Sequence, residues 1–396
     1  MLKTSGRQKK DTLGIYVHIP FCKRKCPYCD FNSVAAVGDG WIAVGTPEKE
    51  YAESVLMEFS SIAEREGLGE RIRAVETLYF GGGTPSIFSP DTIARIIGGI
   101  RRVIPLSDNA EITLEVNPET VDGKKLRGFR DAGINRLSIG IQSLNPTELK
   151  TLGRLHSAEK AVEAVALSRD AGFKNIGVDI MFAVPGQTFR GWEKTLIEIT
   201  GLAPEHVSIY GLTVEKGTPY HGLLKKGELV LPSEGLYADM YRCGARVMKE
   251  NGYARYEISN FALDGFECRH NMRYWLGKDY IGLGAGAHSY LGLSGQGLRW
   301  WNEPSPGRYM EMAGKGLSPS AGSETLKVEE EATERIMLGL RLKEGIRENE
   351  FIERFGSPPA EFILRWKELN ELGLIRAEDG FIALTQKGIL FSNEVF

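Results

Sequence analysis

GIYVHIPFCKRKCPYC, residues 14–29, runs a short β-branched segment straight into three closely spaced cysteines. The segment reads as a strand over residues 14–19, and the cysteines follow it as Cys22-x-x-x-Cys26-x-x-Cys29. Similar runs recur at residues 75–80, 111–117, 136–141, 175–181 and 206–211. Amphipathic stretches of helical period separate them at 48–65, 90–103, 121–132, 157–171 and 189–200. Six β-α units in series imply a parallel sheet with right-handed crossovers, either barrel-like or doubly wound. The unusual residues favour the barrel. They fall just after the strands: Cys22 to Cys29, then Gly81 to Pro85, Glu115 to Pro118, Gln142, Asp179, and Tyr210 to Thr213. In barrels the chemistry collects at the C-terminal strand ends, whereas an open sheet gathers it at one switch point.

At 396 residues the chain has room for two or three domains. Residues 1–13 read as a polar tail and 14–291 as the barrel with its extension. Residues 292–327, rich in Gly, Ser and Pro, read as a connecting segment. Helical patterns and a small hairpin with a turn at Asp379-Gly380 make 328–396 a winged-helix-like domain. Its would-be recognition helix sets Arg365 and Lys367 among Glu361, Glu368 and Glu371. Lys and Arg total 49 against 52 Asp and Glu, a net charge of −3, so nucleic acid is not an expected partner. Gly numbers 47, about 12% against roughly 7% on average, which asks for tight turns and close backbone approaches. No window of 18 apolar residues and no apolar leader stretch occur, so a cytoplasmic location is expected. There the 5 cysteines stay reduced and available as ligands.

Three thiolates leave a structural zinc one ligand short, and a zinc completed by His18 is the plain alternative. They suit three irons of a [4Fe–4S] cluster, with the fourth iron open for a ligand. The CxxxCxxC spacing resembles that of the radical S-adenosylmethionine (SAM) superfamily. In that superfamily the open iron binds SAM, and one electron yields a 5′-deoxyadenosyl radical. YVHIPFC, YFGGGTPS, EVNP, GIQS and VDIMFAVPGQT extend the resemblance over nearly the whole chain. They are similar to the branch that holds oxygen-independent coproporphyrinogen III oxidase and, nearer still, to its haem-chaperone (HemW) type. The oxidase type carries a further Cys where Phe31 stands here. The chaperone type carries HNxxYW, matched by His270-Asn271-Met272-Arg273-Tyr274-Trp275.

The resemblance implies an α/β fold: a partial (β/α)6 TIM-like radical SAM barrel with a small C-terminal winged-helix-like α+β module. It also implies a [4Fe–4S] cluster on Cys22, Cys26 and Cys29. SAM would be held by Tyr16, Tyr28, Gly82, Gly83, Thr84, Glu115, Gln142, Arg154 and Asp179. Haem would be held by His270, Tyr274 and Trp275, since imidazole is a good axial ligand and the rings can cover porphyrin. Cys268 is a rival ligand. The expected function is binding haem and delivering it to acceptor haemoproteins, respiratory-chain subunits at the membrane among them. A donor such as flavodoxin or ferredoxin would reduce the cluster. The alternative is radical oxidative decarboxylation of coproporphyrinogen III, against which Phe31 and HNxxYW both speak.

Overall fold

β1 (Asp11–Ile19) lies inside a large sheet and pairs in parallel on both sides. The computed structural model describes residues 11–35, 47–292, 297–358 and 360–395. Residues 1–10 of the expected tail therefore lie outside the described residues, and residues 11–13 open β1. The parallel series continues through β2 (Ile72–Gly82), β3 (Leu106–Val116), β4 (Arg136–Gln142), β5 (Ile176–Phe182) and β6 (His206–Gly211). Five helices carry the crossovers: α1 (Glu48–Arg65), α2 (Pro90–Val103), α3 (Gly123–Asp131), α4 (Ala158–Asp170) and α5 (Phe189–Gly201).

The sheet extends past both ends of this series. β7 (Ala254–Arg255) and β8 (Asn260–Ala262) continue it antiparallel beyond β6. On the other side β9 (Tyr280–Leu283) adds a seventh parallel strand beside β1. β10 (His288–Leu291), β11 (Leu298–Asn302) and β12 (Ser320–Thr325) then follow antiparallel. The order among the described residues is β12-β11-β10-β9-β1-β2-β3-β4-β5-β6-β8-β7, a partial barrel that does not close. The stretch 292–327, expected as a connection, thus carries two strands of the main sheet and a helix, Pro306–Gly314. Its residues 293–296 lie outside the described residues.

The helices cover one face of the sheet because their apolar positions recur at helical spacing. α1 buries Tyr51, Val55, Phe59 and Ile62. α2 starts where Ser89 accepts the Thr92 N–H and Pro90 takes the first turn. It buries Ile93, Ile96, Ile97 and Ile100, each worth roughly 1.5–3 kcal/mol against exposure.

α6 (Arg269–Trp275) packs on β2, and after β9 to β12 the chain enters the C-terminal module. That module holds α7 (Val328–Gly339), α8 (Glu348–Phe355) and α9 (Ala360–Glu371). Its sheet orders β13 (Ile346–Arg347), β15 (Phe381–Leu384) and β14 (Ile375–Glu378), with β15 in the middle. The hairpin turns at Asp379 and Gly380, both with positive φ (53° and 77°), as a two-residue hairpin loop requires. Ile258 of the first region joins Ile336, Phe351, Leu369 and Ile382 in one apolar cluster, so the module is docked by a shared core.

One buried charge ties α1 to the late strands. Glu58 accepts from Gly284 N–H, Asn302 Nδ2 and Tyr309 OH, and burial pushes its carboxyl up to about 7. A carboxyl raised in the folded state stabilises below its unfolded value, and that contribution is lost as pH rises through about 7. Glu58→Gln removes the titration. Its unfolding free energy should fall less between pH 5 and 8 than that of the wild type, by about 3 kcal/mol. Urea titrations at several pH values measure this, and parallel pH profiles would contradict it.

Candidate functional site

The cysteine loop is anchored where β1 and β2 end side by side. Gly83 N–H donates to Ile19 O (2.8 Å) and Thr84 N–H to Phe21 O (2.9 Å). A Cβ on Gly83 would stand 2.8–2.9 Å from the backbone of Pro20 and Phe21. Gly82 has φ +112°, and a Cβ there would strike the His18 ring at 2.5 Å. These glycines therefore let two backbones touch beneath the cysteines. The Thr84 hydroxyl then reaches Cys22 Sγ at 3.4 Å.

Above this contact opens a cavity of about 420 Å³, lined by all three cysteines. Of the residues expected to hold SAM, Tyr28, Gly82, Gly83, Thr84, Glu115, Gln142, Arg154 and Asp179 line the same cavity. Tyr16 does not. It stands behind, stacked on Tyr79 (6.1 Å) with its hydroxyl 3.0 Å from His18 Nδ1. Glu115 Oε1 accepts from Tyr79 OH (2.9 Å) and Oε2 from Gly82 N–H (3.1 Å). Burial, with Asp179 nearby, pushes the Glu115 carboxyl up to about 7. Asp179 accepts from Ser138 Oγ at 3.1 Å and is also raised by burial. Gln142 ends β4 in the left-handed region at φ 66°, at a register shift after Gly140. Arg154 bridges the strand ends to the loop. Its Nη2 donates to Asn117 Oδ1 (2.6 Å) and Gly140 O (2.9 Å), and its Nη1 lies 3.7 Å from Cys26 Sγ.

The donor set fits an iron–sulfur cluster better than a zinc ion. Among the described residues no three His, Cys, Asp or Glu side chains are grouped to hold a single metal ion. His18 is engaged through both ring nitrogens, by Tyr16 OH and by Asn32 O at 2.7 Å. Burial pushes the Cys22 thiol up to about 11, so a thiolate there needs a bound cation to offset its desolvation. The Arg154 guanidinium adds positive charge at Cys26.

The haem candidates stand elsewhere. His270 is 1% exposed, with Nδ1 2.8 Å from Thr77 Oγ1 and Nε2 2.8 Å from Tyr274 OH. Its ring stacks on Tyr79 at 5.2 Å, and burial with Arg273 and Arg136 lowers its pKa to about 3. Both nitrogens are thus hydrogen-bonded to neighbours in this structure. Cys268 is fully buried, its thiol donates to Glu111 at 3.7 Å, and burial pushes it up to about 12. Tyr274 and Trp275 instead line a second, largely apolar cavity of about 380 Å³ between the main sheet and the C-terminal module. Tyr280, Tyr290, Leu338 and Phe355 share its walls, with Lys278 and Arg335 beside two arginines that are paired to lining carboxylates, Arg299 to Glu334 and Arg354 to Glu331. The Arg341 guanidinium sits 4.5 Å over the Trp275 ring.

Sequence reading missed Arg136, Ser138, His206 and Ser208, which also line the cysteine cavity. Their signal was available: polar residues at every second position of otherwise apolar strands.

Residues 16–199 match the family model of the Radical SAM superfamily, and residues 326–391 match the HemN C-terminal domain. The chain is 35% identical over 383 residues to the heme chaperone HemW of Bacillus subtilis (strain 168), covering 96% of this chain and 97% of that protein. It is 34% identical to the heme chaperone HemW of Lactococcus lactis, covering 96% and 95%. The fold also matches the solved structure of coproporphyrinogen III oxidase (HemN) from Escherichia coli, a radical SAM enzyme, with a TM-score of 0.80. That match covers 98% of this chain and 89% of the other at 21% identity, a likeness of fold. With such identity along nearly the whole of both chains, this chain belongs to the HemW family of radical SAM proteins.

Proposed function

We propose that this protein binds haem and passes it to acceptor haemoproteins in the cytoplasm, respiratory-chain subunits at the membrane among them. The observation that carries this reading is the split between two cavities. One holds the cysteines, and the other, beside the C-terminal module, presents Tyr274 and Trp275 from HNxxYW. An apolar, aromatic wall suits a porphyrin face, and Lys278 and Arg335 at its edge offer cationic partners for propionates beside the ion pairs Arg299–Glu334 and Arg354–Glu331. In this reading Trp275 and Tyr274 cover the porphyrin, and Lys278 and Arg335 meet its carboxylates. His270 is a positioning residue that fixes Tyr274 through the bond to its hydroxyl.

A [4Fe–4S] cluster with SAM supplies one-electron reductive chemistry when bound, fed by a donor such as flavodoxin or ferredoxin. Cys22, Cys26 and Cys29 would hold the cluster. Gly82, Glu115, Gln142, Arg154 and Asp179 would hold SAM in the cavity beside it. Glu115 offers a carboxylate already oriented by Tyr79 and Gly82, the kind of group that holds an amine. Phe31 is 63% exposed at the cavity, at the position where the oxidase type has a further Cys. The decarboxylation reading lacks that residue.

Anaerobic reconstitution tests the first half. Cys22→Ala, Cys26→Ala and Cys29→Ala should each lose most of the iron and the absorption near ~400 nm. Gly83→Val should also lower iron retention, because its side chain displaces the cysteine loop. Glu115→Gln should keep the iron yet weaken SAM binding about tenfold, read from the EPR signal of the reduced cluster. Full iron loading in the cysteine variants contradicts the assignment.

Haem titration tests the second half. Trp275→Ala should weaken haem binding about tenfold and leave iron–sulfur content intact. His270→Ala should weaken it less and keep the same Soret position, since the imidazole orients Tyr274 without touching iron. A Soret shift confined to His270→Ala would mean that His270 swings out to ligate, and the positioning role would fail. Under the same conditions coproporphyrinogen III should not be decarboxylated.

A further inference from the structure

The cysteine cavity continues past the proposed SAM residues toward the starts of the strands. On β4, Arg136, Ser138, Gly140 and Gln142 all line it, at alternate positions of one strand face. Six residues of strand at about 3.3 Å each put Arg136 roughly 20 Å from Gln142. On β6, His206 and Ser208 face the same space. The inner end is therefore a separate place from the strand ends where the cysteines stand.

Its polar groups lack partners. Arg136 is 1% exposed, and its Nε and Nη1 are buried with no hydrogen-bond partner among the described residues. The surrounding carboxylates are engaged elsewhere. Glu111 takes the N–H groups of Arg269 and His270, Asp179 takes Ser138, and Glu115 takes Tyr79 and Gly82. His206 Nδ1 and Thr113 Oγ1 are likewise buried and unpartnered, and Thr113 is the register neighbour of Arg136. Tyr256 OH accepts from Cys268 N–H and lies 2.8 Å from His206 Nε2. In the tautomer that takes the Tyr256 proton on Nε2, Nδ1–H faces the cavity as a donor. A Cβ on Gly177 would stand 3.2 Å from Arg136 Nη2 and 3.3 Å from His206 Nδ1, so the bare glycine leaves a gap between the two donors.

A buried guanidinium with unmet donors is costly unless an anion or water meets them. The planar fork of arginine matches a carboxylate. Negative charge on Asp179 and Glu115 in the same cavity weighs more heavily against a phosphate dianion than against the single charge of a carboxylate. We propose that the inner end of this cavity is a carboxylate-binding subsite, formed by Arg136 and His206 across the gap at Gly177, that takes a small organic acid distinct from SAM.

Calorimetry on the reconstituted, full-length protein tests this, with sodium propionate as probe and sodium chloride and inorganic phosphate as controls. Propionate should bind saturably and more tightly than either control. Arg136→Met and Gly177→Ala should each weaken it about tenfold or more, leaving the SAM-induced EPR change intact. If propionate binds no better than chloride, the inner end is a water-filled void and the proposal falls. If Arg136→Met loses SAM and propionate together, Arg136 serves the SAM carboxylate and the separate subsite falls. Should Arg136→Met not fold, Gly177→Ala and His206→Phe decide, and unchanged propionate affinity in both overturns the proposal. Haem titration of the same samples is an independent readout, so a failure of the haem reading would leave this result standing.

Discussion

Alternate residues of β3 to β6 turn away from the helices into the space the sheet encloses, and many of them are polar. Glu115, Arg136, Ser138, Gln142, Asp179, His206 and Ser208 all line that space, while Leu137, Ile139, Val178 and Val207 pack outward at 0% exposure. A one-residue slip in any strand would bury the polar row among isoleucines and open the apolar row to the cavity. The strong preference of the apolar face for the helix layer therefore fixes the register, and the register places the chemistry. The sheet is a scaffold for the site because its two faces cannot be exchanged.

The cysteine loop obeys a second, local constraint. It needs β1 and β2 to end together with no side chain between them, which Gly82 and Gly83 allow. The contact delivers Thr84 to Cys22 and Gly82 N–H to Glu115, so the proposed cluster ligands and the proposed SAM residues share one support. Disturbing the glycines should thus affect both functions, whereas changing Glu115 should affect one.

The six parallel strands were legible because each is a compact apolar run between turn signals, and the cysteine spacing was legible because it is local. The flanking strands were not. β12 reads Ser-Ala-Gly-Ser-Glu-Thr, mostly exposed at the sheet edge, so no apolar alternation marks it. β9 hides in a Gly-rich stretch that resembles a loop. HNxxYW was visible as a pattern, yet the buried setting of His270 includes Thr77, which lies 193 residues away in sequence and meets it only through the fold. Arg136 and His206 belong to the same class: each is ordinary in its own strand, and their meeting beside Gly177 follows from the pairing of β4, β5 and β6.

Haem movement between proteins tests the central claim most directly. Haem-loaded protein carrying its cluster would be mixed anaerobically with an apo-haemoprotein and followed by stopped-flow absorption. The account predicts that the donor Soret band decays as the acceptor band rises, with one haem gained by the acceptor for each lost. Haem that stays bound while SAM-dependent release of carbon dioxide from coproporphyrinogen III proceeds would contradict it.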